Sequence, residues 1–207
     1  MNLKNYYWYF NKVLSDKFCD EIIKYGNQKK EQLALTQGYV KNKELNKEEI
    51  KDLKKKRDSK IVWLDDPWIY KEIQPLIHMA NKNAGWNFQW DWSESCQFTK
   101  YKKNQYYDWH CDSSDSVYNE DQGENFKGKI RKLSVTCQLT DESEYEGGKL
   151  EFQFRNGDDP KIIEECKHAG KKGSIIVFPS FVWHRVTPVT KGDRYSLVVW
   201  NIGDPYK

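Results

Sequence analysis

The chain has 207 residues, enough for one domain with a real hydrophobic core. Charged residues make up 31% and aromatics 15%, the net charge of +3 is too small to make nucleic acid the expected partner, and no apolar run approaches the ~20 residues that span a bilayer. Five scattered cysteines without a CxxC pair argue against a disulfide framework or structural zinc, and with no apolar stretch in residues 1–10 to act as a signal peptide they point to a reducing cytoplasm.

Ser15 is placed to cap a helix whose Phe18, Cys19, Ile22 and Ile23 share one face, with Gly26 as its stop. Residues 28–60 are polar and lysine-rich. Asn46 and Glu49 have capping-box spacing, which predicts a short helix over 47–57. The basic run Lys54-Lys55-Lys56-Arg57 reads as a solvated face, with contact to an acidic substrate or nucleic acid as the alternative. Asp66-Pro67 starts a third helix carrying Ile69, Ile73, Leu76, Ile77 and Ala80 at helical spacing. Pro75 should kink it or end its first half, and Asn83-Ala84-Gly85 ends it.

From about Trp86 the texture changes. Short β-type runs at 95–102, 105–111, 132–140, 149–154, 173–178 and 195–202 alternate with Gly, Asp and Asn turns. This predicts a mainly β fold with N-terminal helices (α+β), built as a sandwich or double-stranded β-helix (jelly roll). The expected plan is a single domain, 1–207, with residues 1–94 as a helical support layer and 95–207 as the jelly-roll core.

Within the 105–111 run, alternation puts His110 and Asp112 on one face and Cys111 on the other. With His184 downstream they supply two imidazoles and a carboxylate. That set suits a non-haem ferrous ion whose open positions admit a co-substrate and dioxygen. Alone, the His-x-Asp pair is a weak signal and reads sooner as a surface histidine beside a turn-forming aspartate. His78, on the third helix, and His168, in a lysine-rich loop, carry no supporting motif. Farther on, the Gly192-Asp193 turn leads into a strand that opens with Arg194 and shows Ser196 on the same face. A guanidinium fork beside a hydroxyl suits a carboxylate; the plainer reading is a strand-edge salt bridge.

His110-Cys111-Asp112, the distal His184 and Arg194 ten residues beyond it resemble the Fe(II)- and 2-oxoglutarate-dependent dioxygenases, and more narrowly their prolyl 4-hydroxylase-like branch. The resemblance covers residues 57–203. It is carried further by Tyr101 and Tyr107, nine and three residues before His110, and by Arg131 ahead of the run 133–139. Glu146-Gly147-Gly148-Lys149-Leu150, His184-Arg185-Val186-Thr187-Pro188-Val189, and Arg57-Asp58-Ser59 with Val62-Trp63-Leu64 add to it. The resemblance implies that His110, Asp112 and His184 hold Fe(II). It implies that Arg194 binds the distal carboxylate of 2-oxoglutarate, helped by Tyr101 and Ser196, and that Tyr107, Arg131 and Trp200 line the substrate side. Dioxygen as co-substrate, ascorbate as reductant and succinate as product come with it, as does a proline-containing peptide or protein hydroxylated at C4. Collagen-type members carry Lys where this chain has Arg194, and Gln138 stands where some relatives have Tyr. Two alternatives stay open: the same chemistry on a free amino acid, small metabolite or nucleobase, and a jelly-roll protein that keeps a metal without oxidising anything. The final strand lacks the further arginines of the nucleic-acid demethylases.

Overall fold

A computed structural model of the chain describes residues 5–35, 45–154 and 162–206. In chain order the elements are β1 (Trp8–Phe10), α1 (Asp16–Asn27), β2 (Gln32–Leu33), α2 (Lys47–Lys56), β3 (Arg57–Asp58), β4 (Lys60–Leu64), α3 (Pro67–Asn83), β5 (Trp92–Ser93) and β6 (Cys96–Tyr101). Then follow β7 (Tyr106–His110), β8 (Ile130–Gln138), β9 (Glu146–Gly147), β10 (Leu150–Phe154), β11 (Ile162–Glu165), β12 (Ile175–Pro179), β13 (Trp183–Val186), β14 (Val189–Lys191) and β15 (Arg194–Gly203).

A major sheet runs β1-β12-β8-β15-β6-β4-β2, with β5 beside β15; a minor sheet runs β11-β10-β13-β7-β3; β14 pairs with β9. The pairings are antiparallel, and strands far apart in sequence lie side by side, as β15 does with both β6 and β8. This is the mainly β jelly roll with helices that the strand texture predicts.

The period-two alternation of the major sheet separates two environments. Phe98, Val135, Cys137, Ile175, Val177, Leu197 and Val199 pack with Ile22 of α1 and with Ile69, Ile73 and Ile77 of α3 in one buried apolar cluster. The alternate positions Gln97, Thr99, Ser134, Gln138, Arg194 and Ser196 are also buried, yet polar. Buried polar groups persist where they have partners or a ligand to meet. The helices therefore cover the hydrocarbon face of this sheet, and the face turned toward the minor sheet is built as a site.

The predicted helices form, with local differences. Ser15 caps α1 by accepting from the Phe18 amide, and Asn46 with Glu49 makes the full capping box. Gly26 does not stop α1; it lies inside the helix because a Cβ there would come within 2.5 Å of the Phe98 ring. Pro75 neither ends nor divides α3: it sits on the exposed side, where water can satisfy the carbonyl it leaves unpaired. Asp66 makes no cap bond and instead accepts from the Tyr25 hydroxyl at 2.9 Å. Residues 1–94, expected as a helical support layer, supply the three helices and also give β1, β2, β4 and β5 to the major sheet.

Candidate active site

Three side chains converge between the sheets. His110 ends β7 and stands directly opposite His184 of β13 in the strand register. Asp112 follows two residues later, its amide donating to the Ser180 carbonyl at 2.9 Å. One ligand atom from each of His110, Asp112 and His184 falls within 4.8 Å of the others. Asp112 Oδ1 is 3.8 Å from His110 Nε2, and Oδ2 is 3.6 Å from His184 Nε2.

Neighbours fix how each group is presented. His110 Nδ1 lies 2.8 Å from the Asp108 carbonyl and His184 Nδ1 lies 3.0 Å from that of Val182. Carbonyls only accept, so each Nδ1 carries a proton and each ring presents its Nε2 to Asp112. The Ser134 hydroxyl donates to Asp112 Oδ2 at 2.7 Å, and its oxygen lies 3.0 Å from Ser180 Oγ. Burial, then the His184 imidazole, push His110 down to about 3. Burial pushes the Asp112 carboxyl up, but the two imidazoles, Arg131 and the Ser134 hydroxyl outweigh it and hold it at about 2. At neutral pH His110 is thus a neutral imidazole and Asp112 a carboxylate, and with His184 beside them they form a facial ligand set that suits ferrous iron.

The triad opens into a cavity with Tyr101, Arg194, Ser196 and Trp200 on its major-sheet wall. Arg194 is only 2% exposed. Its Nη1 reaches Ser196 Oγ at a long 3.4 Å, its Nε has no partner, and its Cζ lies 5.6 Å from the Tyr101 ring centroid. No carboxylate pairs with it among the described residues. The Glu146-Gly147-Gly148 turn packs against this arginine. Gly148 has φ +57°, and a Cβ there would sit 2.9 Å from Arg194 Cδ and 3.0 Å from Val189 Cγ2. An unpaired buried guanidinium fits a carboxylate-bearing co-substrate, so both the donor set and the cavity wall accommodate iron with 2-oxoglutarate.

The residues expected on the substrate side divide. Tyr107 lines the cavity, stacked on His110 at 3.5 Å between ring centroids, and burial pushes its hydroxyl up to about 12. Trp200 also lines it, and its Nε1 is buried without a partner. Arg131 lies outside the lining, because its fork is occupied: Nε and Nη2 donate to the two oxygens of Glu94 at 2.6 and 2.8 Å. Its guanidinium covers Trp200 at 4.0 Å, and Tyr118 Oη donates to the same Glu94 at 2.8 Å. Gln138 donates to the Thr140 carbonyl and the Tyr145 hydroxyl. His78 stacks on Trp90 and His168 on Tyr9, both away from the triad.

Two further side chains shape the site. Glu94 lies in no motif and carries no mark in the sequence. Arg57 closes the basic run that reads as a solvated face, yet it is buried and lines the cavity; its place in the Arg57-Asp58-Ser59 segment of the resemblance, outside the helix, is the signal that sets it apart.

Comparison with known proteins gives a consistent picture. Residues 96–201 match the family described as the 2OG-Fe(II) oxygenase superfamily. A PKHD-type hydroxylase of Synechococcus sp. (strain CC9605) is 38% identical over 94 residues, which is 45% of this chain and 35% of that protein. The chain thus spans well under two thirds of the length of such relatives. A prolyl-4-hydroxylase of Pseudomonas putida superposes with a TM-score of 0.67 at 16% identity, over 96% of this chain and 94% of that one. A prolyl hydroxylase of Trichoplax adhaerens, solved with a peptide fragment of hypoxia inducible factor, gives 0.66 at 17% identity, over 96% and 84%. At these identities the structural likeness is one of fold. No helix among the described residues is long and apolar enough to cross a membrane.

Proposed function

We propose that this chain, which belongs to the 2OG-Fe(II) oxygenase superfamily, is a peptidyl-proline 4-hydroxylase that turns 2-oxoglutarate into succinate as it hydroxylates its substrate. The observation that carries this reading is Arg194. An unpaired buried ion costs several kcal/mol, so a guanidinium at one wall of a cavity that also holds a His-Asp-His trio implies an anion that arrives from outside. Bound ferrous iron would supply the activation of dioxygen that puts one oxygen atom into a C–H bond.

The chain's own residues would do the rest. His110, Asp112 and His184 would hold the ion, with the Ser134 hydroxyl donating to Asp112 Oδ2 and so orienting the carboxylate. Arg194 would receive the distal carboxylate of 2-oxoglutarate, with Ser196 and Tyr101 beside it. Tyr107 and Trp200 offer aromatic faces to a pyrrolidine ring, and Trp200 Nε1 has an unused donor for a peptide carbonyl. Arg131, fixed by Glu94, would act by holding the Trp200 ring. The peptide bound by the Trichoplax relative supports a peptide substrate here. Five unpaired thiols support a reducing compartment such as the cytoplasm, and ascorbate belongs to the same reading as reductant.

The test incubates the protein with Fe(II), 2-oxoglutarate, ascorbate and a library of proline-containing peptides, read by mass. The expected result is a gain of about 16 Da, one oxygen atom, on proline with matching succinate. Succinate production with every proline unmodified would overturn the prolyl assignment.

A further inference from the structure

The cavity holds a second buried guanidinium that the roles above leave unused. Arg57, in β3 at the edge of the minor sheet, is 4% exposed. Its Nε donates to Ser59 Oγ at 3.1 Å and its Nη1 to the Leu35 carbonyl at a long 3.4 Å; its Nη2 has no partner among the described residues. The adjacent Asp58 is taken by Lys54 at 3.2 Å and Gln105 at 3.0 Å. Instead of a carboxylate, Arg57 faces a ring: its Cζ is 4.4 Å from the centroid of Tyr107, which stacks on His110. A cation over an aromatic face recovers less than the burial of an ion costs.

Among the described residues, two guanidiniums, Arg57 and Arg194, and one carboxylate, Asp112, line the cavity. Arg131 and Glu94 neutralise each other outside the lining. A divalent cation and a dianionic 2-oxo acid also neutralise each other, so their binding leaves the protein's own excess positive charge in place. The two arginines occupy different walls: Arg194 pairs in register with Tyr101 on the major sheet, and Arg57 with Tyr107 on the minor sheet, next to the first imidazole.

We propose that Arg57 is a specificity-determining residue that pairs with a carboxylate on the substrate, so that the enzyme selects an acidic target. That carboxylate is either a free α-carboxylate or an Asp or Glu side chain beside the oxidised residue. This rests on the reading that Arg194 takes the co-substrate, and it does not require the oxidised residue to be proline.

The test loads the full chain with Mn(II) and 2-oxoglutarate under nitrogen and follows tryptophan fluorescence as paired ligands are added. The pairs are a peptide with Pro-Glu against Pro-Gln, a peptide ending in proline as acid against amide, and L-proline against prolinamide. Each peptide is repeated with alanine for proline. In at least one pair the carboxylate should bind about tenfold more tightly, and which pair does so identifies its source. In Arg57→Gln that advantage should vanish, and Arg57→Lys should keep part of it. Equal affinities in every pair, an advantage that survives in Arg57→Gln, or no binding of any carboxylate ligand would each overturn the proposal. If Arg57→Gln fails to fold, the comparison in the unaltered protein and in Arg57→Lys still decides. An acid preference that persists with alanine for proline would retire the prolyl reading and leave the role of Arg57 standing.

Discussion

Replacing Arg194 by methionine removes a charge that nothing among the described residues balances. Methionine keeps most of the stem's packing while deleting the guanidinium. In the unliganded protein the loss is one long hydrogen bond to Ser196 and a distant contact with the Tyr101 ring, and the gain is relief of an unpaired buried ion. Substituting buried charge by apolar side chains of similar volume is neutral or stabilising by up to about 4 kcal/mol. Binding should move the other way. A charge-assisted bond contributes about 1.5–3 kcal/mol, so 2-oxoglutarate affinity should fall on the order of tenfold to a hundredfold. Thermal melts of the metal-free protein and calorimetric titration of 2-oxoglutarate into the Mn(II)-loaded protein, without oxygen, read the two effects separately. A variant that melts markedly lower and binds 2-oxoglutarate as before would refute the argument, because it would make Arg194 a structural residue.

Asp112→Ala removes the one anionic ligand and should abolish iron-dependent succinate production; full turnover would mean that another triad holds the metal. Ser134→Ala leaves the ligands in place but frees Asp112 Oδ2, so metal affinity should fall by about tenfold to a hundredfold in an equilibrium titration, and an unchanged value would dismiss the orienting role. Gly148→Ala combines a left-handed φ with a Cβ pressed on Arg194 Cδ. It should cost about 1 kcal/mol in a denaturant melt and also weaken 2-oxoglutarate binding; a stability loss alone would show that the turn does not set the arginine's position. With falling pH, the unfolded chain protonates His110 near its ordinary 6.5 and Asp112 near 3.8, whereas the folded groups resist to about 3 and about 2. Their contribution to stability is full above pH 6.5; the His110 share is lost as pH falls toward 3 and the Asp112 share between 3.8 and about 2, so the metal-free protein should melt progressively lower on acidification and His110→Gln should show a shallower decline between pH 6.5 and 3. Identical slopes for the two proteins would contradict a neutral buried imidazole.

What the sequence determined was local. A strand must alternate its faces, so Arg194 and Ser196 had to point together; Asp112 lies just past the end of β7 and reaches His110 through a bend held by its amide bond to the Ser180 carbonyl. Capping chemistry lies within four residues, so Ser15 and Asn46 marked their helices unaided. What the tertiary structure decided was every property set by a neighbour distant in the chain. Gly26 reads as a stop until Phe98 lies across it, and Pro75 reads as a break until its side of the helix meets water. Arg131 reads as a free substrate contact until Glu94 takes its fork, and Arg57 reads as one more solvated lysine-like charge until β3 joins β7 and buries it. Charge and spacing are written along the chain, but the cost of a charge depends on whether water or a partner reaches it, and only the packed sheets fix that.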